Sequence, residues 1–246
     1  MKILITGMGT LGTEFYNYLK KDNDVYGIDW NEWRVAEIND SHIFLGDYTK
    51  HKGTYDLVIH TAAYKHIDLC EKNKEMCSIN NVFNLVIAYK NIKARRWLFI
   101  SSDKAVEPSS FYGVTKQIGE QYFTNKFQYV VRLGNIWASS GSVIPIWEKN
   151  AREGFPLPIT DLAMTRYFIK VDDAVKKIWA LYQIAKPGQV IIPAMGRPKK
   201  LRDIVGKLYP NVKIKIIGLR KGEKMREKLS WDYETIKYKD KNGVIV

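Results

Sequence analysis

The stretch Ile3-Leu4-Ile5-Thr6-Gly7-Met8-Gly9-Thr10-Leu11-Gly12 decides the fold of this chain. It begins as a short apolar run, which is typical of a buried strand, and continues as a glycine-rich loop. The residues from Leu11 to Lys20 then predict a helix that starts at this loop. Glycines at such a turn let backbone N–H groups approach a pyrophosphate at the helix N-terminus. The sequence therefore predicts that a dinucleotide binds at Gly7, Gly9, Thr10, Leu11 and Gly12.

Apolar runs and amphipathic stretches alternate throughout residues 1–134. The predicted strands are Lys2–Thr6, Asp24–Asp29, His42–Leu45, Asp56–His60, Arg96–Ile100 and Gln128–Leu133. The predicted helices are Leu11–Lys20, Ile67–Cys77, Asn84–Asn91 and Tyr112–Asn125, with room for one short helix between Asp29 and Asp56. Such alternation implies an α/β fold in which helices cover both faces of a parallel sheet. We predict a trimmed, Rossmann-like doubly wound sheet, and residues 1–134 as its dinucleotide-binding domain.

The pattern changes after Leu133, where prolines divide the chain into short segments. Helices are predicted at Asp172–Ile184 and Leu201–Leu208, a strand at Lys213–Ile217, and a hairpin turn at Asn242-Gly243. Residues 135–246 are expected to form mainly a substrate-binding lobe that is interleaved with the sheet. The short segments indicate that this lobe has no large core of its own.

The charge of the chain is strongly basic. Its 246 residues include 39 Lys and Arg against 26 Asp and Glu, a net charge of +13, and 46% of them are hydrophobic, which excludes a disordered chain. From Gly196 to Val246 there are 15 basic and 6 acidic residues. No helix-turn-helix, zinc finger or basic-aromatic repeat accompanies this charge. We therefore expect a pocket for an anionic ligand, and no nucleic acid partner.

Cysteine usage and hydropathy narrow the class of protein further. Cys70 and Cys77 are expected to be half-buried reduced thiols on one face of a helix, and no Cys/His cluster predicts a metal site. No apolar stretch approaches the roughly 20 residues that span a bilayer. The apolar N-terminal run reads as a strand and not as a signal peptide. The expected protein is cytoplasmic, without a membrane partner.

The end of the second predicted strand bears on the choice of cofactor. Asp29 lies 22 residues after Gly7, where a carboxylate would bind a ribose 2′-hydroxyl and disfavour a 2′-phosphate. Arg34 could instead accommodate a 2′-phosphate. NAD and NADP both remain open, and we lean slightly to NADP because of Arg34 and the basic charge around it.

Tyr112-Gly113-Val114-Thr115-Lys116 places a phenol and an ammonium group four residues apart, on one face of a predicted helix. The charge of Lys116 could lower the pKa of the Tyr112 phenol, whose phenolate could then take a proton from a substrate hydroxyl as hydride leaves for a nicotinamide. Ser102 ends the preceding strand and could donate to the same substrate oxygen. The sequence thus predicts oxidation of a hydroxyl group.

Together these motifs resemble the extended short-chain dehydrogenase/reductases. More narrowly, they resemble the inverting nucleotide-sugar 4,6-dehydratases of bacterial polysaccharide and flagellin-glycan biosynthesis. The matching segments are His60-Thr-Ala-Ala-Tyr-Lys-His66, Ser101-Ser-Asp-Lys-Ala105, Phe111-Tyr-Gly-Val-Thr-Lys116, Val131-Arg-Leu-Gly-Asn135, Gly141-Ser-Val-Ile-Pro145, Ile159-Thr-Asp161, Met164-Thr-Arg166 and Ile217-Gly-Leu-Arg-Lys-Gly-Glu-Lys-Met-Arg-Glu227. They extend over most of the chain between Asp56 and Leu229.

The resemblance implies roles for further residues, in a homo-oligomer that acts on a UDP-sugar. Those implied to bind the cofactor, besides the loop, Asp29 and Arg34, are Asp47, Tyr48, Thr61, Ala62, Ala63, Lys65, Asn81, Tyr112 and Lys116. Those implied to bind the substrate are Lys65, His66, Asn135, Ser142, Val143, Thr165, Arg166, Arg220 and Glu223. The two arginines suit the phosphates of a nucleoside diphosphate.

The implied reaction is oxidation at C4, loss of water across C5 and C6, and return of hydride to C6. It needs an acid and a base beyond the Tyr–Lys pair. We assign Asp103 as the acid toward the C6 hydroxyl and Lys104 as the base at C5; an adjacent Asp and Lys can exchange a proton and titrate jointly. A structural ion pair is the alternative for these two residues. For the whole protein, the alternatives are a nucleotide-sugar 4-epimerase or 4-reductase, a dinucleotide sensor and a nucleic-acid binder.

Overall fold

In the computed structural model, which describes residues 1–246, strands and helices alternate in the first half of the chain. The strands are β1 (Lys2–Thr6), β2 (Asp24–Asp29), β3 (Ile43–Leu45), β4 (Thr54–His60), β5 (Lys93–Ile100) and β6 (Tyr129–Val131). The helices are α1 (Thr10–Leu19), α2 (Glu32–Ile38), α3 (Ile67–Lys72), α4 (Lys74–Ser78), α5 (Asn84–Asn91) and α6 (Phe111–Asn125). A π-helical turn spans Ile79–Phe83, and a 3₁₀ turn spans Asp103–Ala105.

The second half consists mostly of shorter elements. Its strands are β7 (Asn135–Ile136), β8 (Leu157–Ile159), β9 (Thr165–Arg166), β10 (Phe168–Ile169), β11 (Val190–Pro193), β12 (Lys199–Lys200), β13 (Ile214–Ile216), β14 (Tyr238–Asp240) and β15 (Gly243–Ile245). Its helices are α7 (Val143–Arg152), α8 (Val171–Tyr182) and α9 (Leu201–Leu208). The predicted turn at Asn242-Gly243 joins β14 to β15 as an antiparallel hairpin, as expected.

Nine strands form one sheet, in the order β14-β15-β11-β6-β5-β4-β1-β2-β3. The seven strands from β11 to β3 are parallel, and β15 runs antiparallel to both of its neighbours, β11 and β14. This arrangement confirms the predicted Rossmann-like doubly wound sheet. Strand order reverses at β1, because β2 lies on one side of it and β4 on the other. Ligands of such sheets bind at the carboxyl ends of the strands beside this point.

Alternating residues of β1 supply the cores on both faces of the sheet. Ile3 and Ile5 pack with residues of α1 and α8, whereas Leu4 packs with Trp97 and with residues of α5. A strand that is apolar on both sides is expected in a parallel sheet covered by helices. The burial of β1 therefore holds the following glycine loop at one edge of a rigid layer.

The predicted helix Ile67–Cys77 is wrong in its continuity. Asn73 leaves helical geometry, with φ −128° and ψ 60°, and its side-chain amide donates to the carbonyl oxygen of Leu69. A side chain that satisfies the end of a helix in this way competes with the next turn. Cys70 and Cys77 nevertheless lie together, with their sulfur atoms 2.7 Å apart. Both thiols are fully buried and not half-buried as expected.

A small separate core lies in the second half of the chain, around Trp147 and between α7, α9 and the β8–β13 pair. By contrast, β11, β15 and α8 pack with the main sheet. No helix of the chain is both long enough and apolar enough to cross a membrane. The predicted domain boundary at residue 134 stays a prediction, as does the cytoplasmic location.

Candidate active site

A cavity of about 520 Å³ lies at the carboxyl ends of the parallel strands, beside the point where strand order reverses. It brings together most of the residues singled out in the sequence. Those that line it are Gly7, Gly9, Thr10, Leu11, Gly12, Asp29, Arg34, Tyr48, Thr61, Ala62, Ala63, Lys65, His66, Ser102, Lys104, Tyr112, Lys116, Asn135, Ser142 and Val143. The predicted cofactor and substrate residues thus share one continuous space.

Seven of the singled-out residues do not line the cavity, namely Asp47, Asn81, Asp103, Thr165, Arg166, Arg220 and Glu223. The cavity also has walls that we did not predict, including Trp30, Tyr64, Asn80 and Ser139. Trp30 directly follows Asp29, so its position after the second strand is a signal that could have identified it. Asn80 adjoins the predicted Asn81, but only the local backbone decides which of the two faces the cavity.

The glycine loop has the close backbone packing that a phosphate cradle needs. A β-carbon on Gly12 would come within 2.0 Å of the Gly7 carbonyl oxygen, and Gly7 has φ +90° and lies against Ala62. A β-carbon on Gly9, by contrast, would meet nothing within 4 Å and would stand in open space. Gly9 also precedes the first residue of α1. The loop therefore offers an open helix N-terminus to an anionic group, and the residues present fit a dinucleotide.

Asp29 connects the glycine loop to the region of Arg34. One of its carboxylate oxygens accepts from the backbone N–H of Met8 at 2.6 Å, and the other from that of Asn31 at 2.8 Å. Asn31 caps α2 by accepting from the backbone N–H of Arg34. The Arg34 guanidinium pairs with the exposed Glu37 at 2.9 Å. The Asp29 carboxylate and the Arg34 guanidinium therefore both lie at the end of the cavity that adjoins β2.

Tyr112 and Lys116 lie in the first turns of α6, which begins after its cap Ser110. Burial raises the pKa of the Tyr112 phenol, and a hydrogen bond with Ser102 opposes that rise. Lys116 donates to the carbonyl oxygen of Ile100 at 2.7 Å, and burial lowers its pKa to about 8. The direction is therefore opposite to the expected lowering of the Tyr112 pKa, because loss of solvent around the phenolate is the largest effect and the charge of Asp103 adds to it.

Asp103 and Lys104 lie in the 3₁₀ turn directly after Ser102. The Asp103 carboxylate is fully buried, and its Oδ1 accepts from Lys104 Nζ and from Ser102 Oγ, both at 3.0 Å. Its Oδ2 is buried without a hydrogen-bond partner. Lys104 is 16% exposed and reaches the cavity, with Nζ 3.5 Å from Asn135 Oδ1. Only the lysine of this pair therefore lies at the cavity wall.

Asn81 supports the cavity from behind, whereas Asp47 bonds within its own turn. The Asn81 amide bonds both the N–H and the carbonyl oxygen of Tyr64, and also Thr115 on α6. Asp47 accepts from the backbone N–H and the hydroxyl of Thr49. Asn81 thus holds the segment that carries Thr61, Lys65 and His66 in place.

The remaining predicted cations are held by the protein itself. Arg220 pairs with Asp68 at 2.7 Å, and its backbone N–H donates to Glu223. Arg166 is buried and donates to the carbonyl oxygens of Thr165 and Met225. Lys65 donates to the carbonyl oxygen of Ser140, and burial together with the charge of Arg34 lowers its pKa. Among these cations, only Lys65 faces the cavity.

The comparisons with known proteins agree with this architecture. The family model described as "Polysaccharide biosynthesis protein" matches residues 13–246. An inverting UDP-N-acetylglucosamine 4,6-dehydratase of Campylobacter jejuni is 36% identical over 185 residues, which covers 70% of this chain and 55% of that protein. The solved structure of Pen from Bacillus thuringiensis superposes with a TM-score of 0.84 at 30% identity, covering 93% of this chain and 83% of Pen.

Some relatives are much longer than this chain. The probable polysaccharide biosynthesis protein EpsC of Bacillus subtilis is 36% identical over 189 residues, which covers 70% of this chain but only 32% of EpsC. The chain thus corresponds to about a third of EpsC and about half of the Campylobacter jejuni dehydratase.

Proposed function

The chain belongs to the polysaccharide biosynthesis protein family, and on this premise we propose that it is a nucleotide-sugar 4,6-dehydratase. The proposed substrate is a UDP-N-acetylhexosamine, with UDP-N-acetylglucosamine as the first to test. One observation carries the proposal: the glycine loop, Tyr112, Ser102 and Lys104 all line one cavity, and Lys104 is paired with the buried Asp103 behind the wall. A 4,6-dehydratase needs these three parts at a single sugar ring.

The proposed cofactor is a nicotinamide dinucleotide, held by the glycine loop, Thr61 and Ala62. We retain the preference for NADP over NAD because two cations, Arg34 and Lys65, line the cavity, whereas Asp29 is the one carboxylate that lines it. That carboxylate already accepts two backbone N–H groups, which offsets part of its charge. Calorimetric titration with each nucleotide tests this choice. Arg34→Ala should weaken NADP binding at least tenfold and leave NAD binding within about twofold.

A nicotinamide dinucleotide held by the glycine loop, Thr61 and Ala62 would supply hydride transfer between C4 and C6 when bound. Tyr112 would take the proton of the C4 hydroxyl, with Ser102 donating to the same oxygen. Lys104 would remove the proton at C5, which the C4 ketone makes acidic. A proton on Asp103 would pass through Ser102 to the departing C6 hydroxyl, since Asp103 does not itself reach the cavity, and the proton that Lys104 takes from C5 would then replace it on Asp103.

The substrate side of the cavity is proposed to be formed mainly by residues 135–246. Asn135, Ser142 and Val143 line it directly, beside Lys65 and His66. Thr165, Arg166, Arg220 and Glu223 are proposed to approach the nucleoside diphosphate. For Arg220 this requires exchange of Asp68 for a phosphate, so Arg220→Ala should raise KM more than it lowers kcat.

The test is incubation with UDP-N-acetylglucosamine and NADP, followed by mass spectrometry for the loss of one water. Tyr112→Phe should slow all product formation by about 10²–10⁴-fold, because it removes the general base at C4. Asp103→Asn should allow C4 oxidation but no water loss, so a 4-keto sugar that still bears its C6 hydroxyl accumulates. Lys104→Ala should abolish deuterium uptake at C5 from heavy water.

The second candidate function is a nucleotide-sugar 4-epimerase. The full burial of Asp103 favours it, because an epimerase needs the Tyr–Lys pair but no acid at C6. If Asp103→Asn and Lys104→Ala both kept full activity while Tyr112→Phe was inactive, epimerisation would replace dehydration as the proposed reaction.

A homo-oligomer is also proposed, with a second copy of the chain covering an apolar face. Helices α4, α5 and the π turn between them expose Met76, Ile79, Phe83 and Ile87 at helical spacing, and α6, which packs beside them, exposes Ile118. Exposed apolar rows on adjacent helices are typical of subunit interfaces. Sedimentation of the protein and of Phe83→Asp tests this, since the variant should sediment as a smaller species.

A further inference from the structure

Glu227 lies in the C-terminal part of the chain but reaches the turn that holds Asp103 and Lys104. Two contacts bring it there. The ammonium group of Lys224 donates to the carbonyl oxygen of Val106 at 2.9 Å, and the backbone N–H of Thr165 donates to the carbonyl oxygen of Met225 at 3.0 Å. Both contacts hold residues just before Glu227, so other groups than the Glu227 carboxylate bring this segment to the turn.

The carboxylate of Glu227 is buried against the ammonium group of Lys104. Its side chain is 1% exposed, and its Oε1 lies 3.7 Å from Lys104 Nζ. Its Oε2 lies 3.8 Å from Lys224 Nζ and has no hydrogen-bond partner. A buried carboxylate with an unsatisfied oxygen is costly, and such groups call for an explanation beyond packing. Lys104 is thus within 4 Å of two buried carboxylates, since Asp103 Oδ1 lies 3.0 Å away.

Charged groups from several segments of the chain act on Glu227. Burial raises the pKa of Glu227 first, Lys104, Arg166 and Lys224 oppose the rise, and Asp103 adds to it. Three cations therefore lie around two carboxylates, so an ionised Glu227 does not give the cluster an excess of negative charge. A neutral amine such as that of Lys104 becomes a cation when it receives a carbon-bound proton, and nearby negative charge stabilises that form.

We propose that Glu227 is a positioning residue for Lys104, holding its amine at the cavity wall and stabilising the ammonium form created by proton transfer. The inference rests on the proposed function, and it deepens the role of Lys104 in it. In the step concerned, the C5–H bond breaks, the electron pair moves toward the C4 ketone to form an enolate, and the proton moves to Lys104 Nζ. Glu227 itself neither contacts the sugar nor gains the proton.

The first test does not depend on catalysis. Lys104 reaches the cavity, so its reaction with an amine-acylating reagent can be followed against pH by peptide mass spectrometry. Glu227→Gln keeps the size of the side chain and removes its charge. The midpoint of Lys104 labelling should then move to lower pH by about 1 unit, because the ammonium form loses a nearby counter-charge. An unchanged midpoint would overturn the proposal, whatever reaction the enzyme performs.

The second test separates Lys104 from the earlier step at C4. In Glu227→Gln, formation of the reduced nicotinamide band in a single turnover should keep the wild-type rate. At alkaline pH, where the amine is free in both proteins, deuterium uptake at C5 should fall by up to about tenfold because the weaker base is slower, and the acidic limb of its pH profile should move with the labelling midpoint. Glu227→Asp restores the charge at a longer distance and should recover part of both effects. If the wild-type protein releases no water from the sugar, the proposed function fails while the labelling result still stands.

Asp232→Asn is the matched control. This carboxylate is 85% exposed, lies in the same C-terminal segment and pairs only with Lys228. Its loss should change neither the labelling midpoint nor the deuterium uptake. Equal shifts in both variants would show a general charge effect and would contradict a specific role for Glu227.

Discussion

The two halves of the chain are held together by contacts of different kinds. In residues 1–134, long parallel strands pair in register, as β4 and β5 do from Thr54–Lys93 to His60–Phe99. In residues 135–246, apart from β11 and the β14–β15 hairpin, the pairs β9–β12 and β8–β13 involve only two and three residues from each strand. The first half is therefore a rigid platform, whereas the second half is a set of short segments held in place by individual side chains. The cavity lies where the two meet.

Truncation of the small second core should have the largest effect on stability. Trp147 is fully buried and its indole N–H donates to the carbonyl oxygen of Pro158 at 2.7 Å. Trp147→Ala should lower the free energy of unfolding by about 3–5 kcal/mol. Hydrogen exchange should show faster opening of α7 and α9 than of β1 and β4. Trp33→Ala, which removes an 86% exposed side chain, should change stability by less than about 0.5 kcal/mol. Equal rates of opening in both halves would contradict the proposed difference in rigidity between them.

The glycine loop offers a matched pair of substitutions in the first half. Gly12→Ala would force a β-carbon against the Gly7 carbonyl oxygen, so we expect a loss of about 1–3 kcal/mol and of dinucleotide binding. Gly9→Ala meets no atom within 4 Å and should keep the stability of the wild type. It should still weaken dinucleotide binding, because its methyl group enters the cavity. Calorimetry and urea unfolding measure both effects, and normal binding by Gly12→Ala would refute the assigned loop.

Loss of the ion pair that links the two halves should lower stability by a smaller amount. Arg132 follows β6 and pairs with Glu120 of α6 and, at 2.7 Å, with Glu234 of the C-terminal segment. Glu234→Gln removes the charge that ties this segment to the sheet, and should cost about 1–2 kcal/mol. Urea unfolding measures the loss. Asp172→Asn breaks an exposed pair and should cost less than about 0.5 kcal/mol, so equal losses would argue against a special role for the buried link.

The smallest expected effect is a gain in stability and not a loss. The folded pKa of Lys116 is about 8, below its usual 10.5, so below pH 8 the fold holds a buried charge that disfavours it. Lys116→Met should therefore gain about 1 kcal/mol of stability at pH 7, after loss of the hydrogen bond to Ile100. Between pH 8 and 10.5 the unfolded wild-type chain binds more protons than the folded one. Wild-type stability should thus rise relative to the variant, and a constant difference across this range would contradict the assignment.

The sequence predicted some elements closely and others poorly, for physical reasons. β1, β2, α5 and α9 have the predicted bounds, because apolar periodicity and nearby turn residues act locally. The helix expected at Ile67–Cys77 fails at Asn73, whose backbone leaves helical geometry and whose side chain adds a second hydrogen bond to the Leu69 carbonyl oxygen. The burial of both thiols depends on packing against Tyr112, which lies on another helix. Periodicity carries no information about such a contact.

The amino-acid sequence by itself determined the doubly wound sheet, the glycine loop and the residue types of the site. These follow from local pattern, because a buried parallel strand and a glycine turn each need particular residues at particular spacings. Lys104 faces the cavity while Asp103 does not, and this difference follows from tertiary packing alone. Tertiary packing alone also decided that Glu227, far along the chain, joins them. Such placement depends on contacts between distant segments, and no spacing along one segment encodes it.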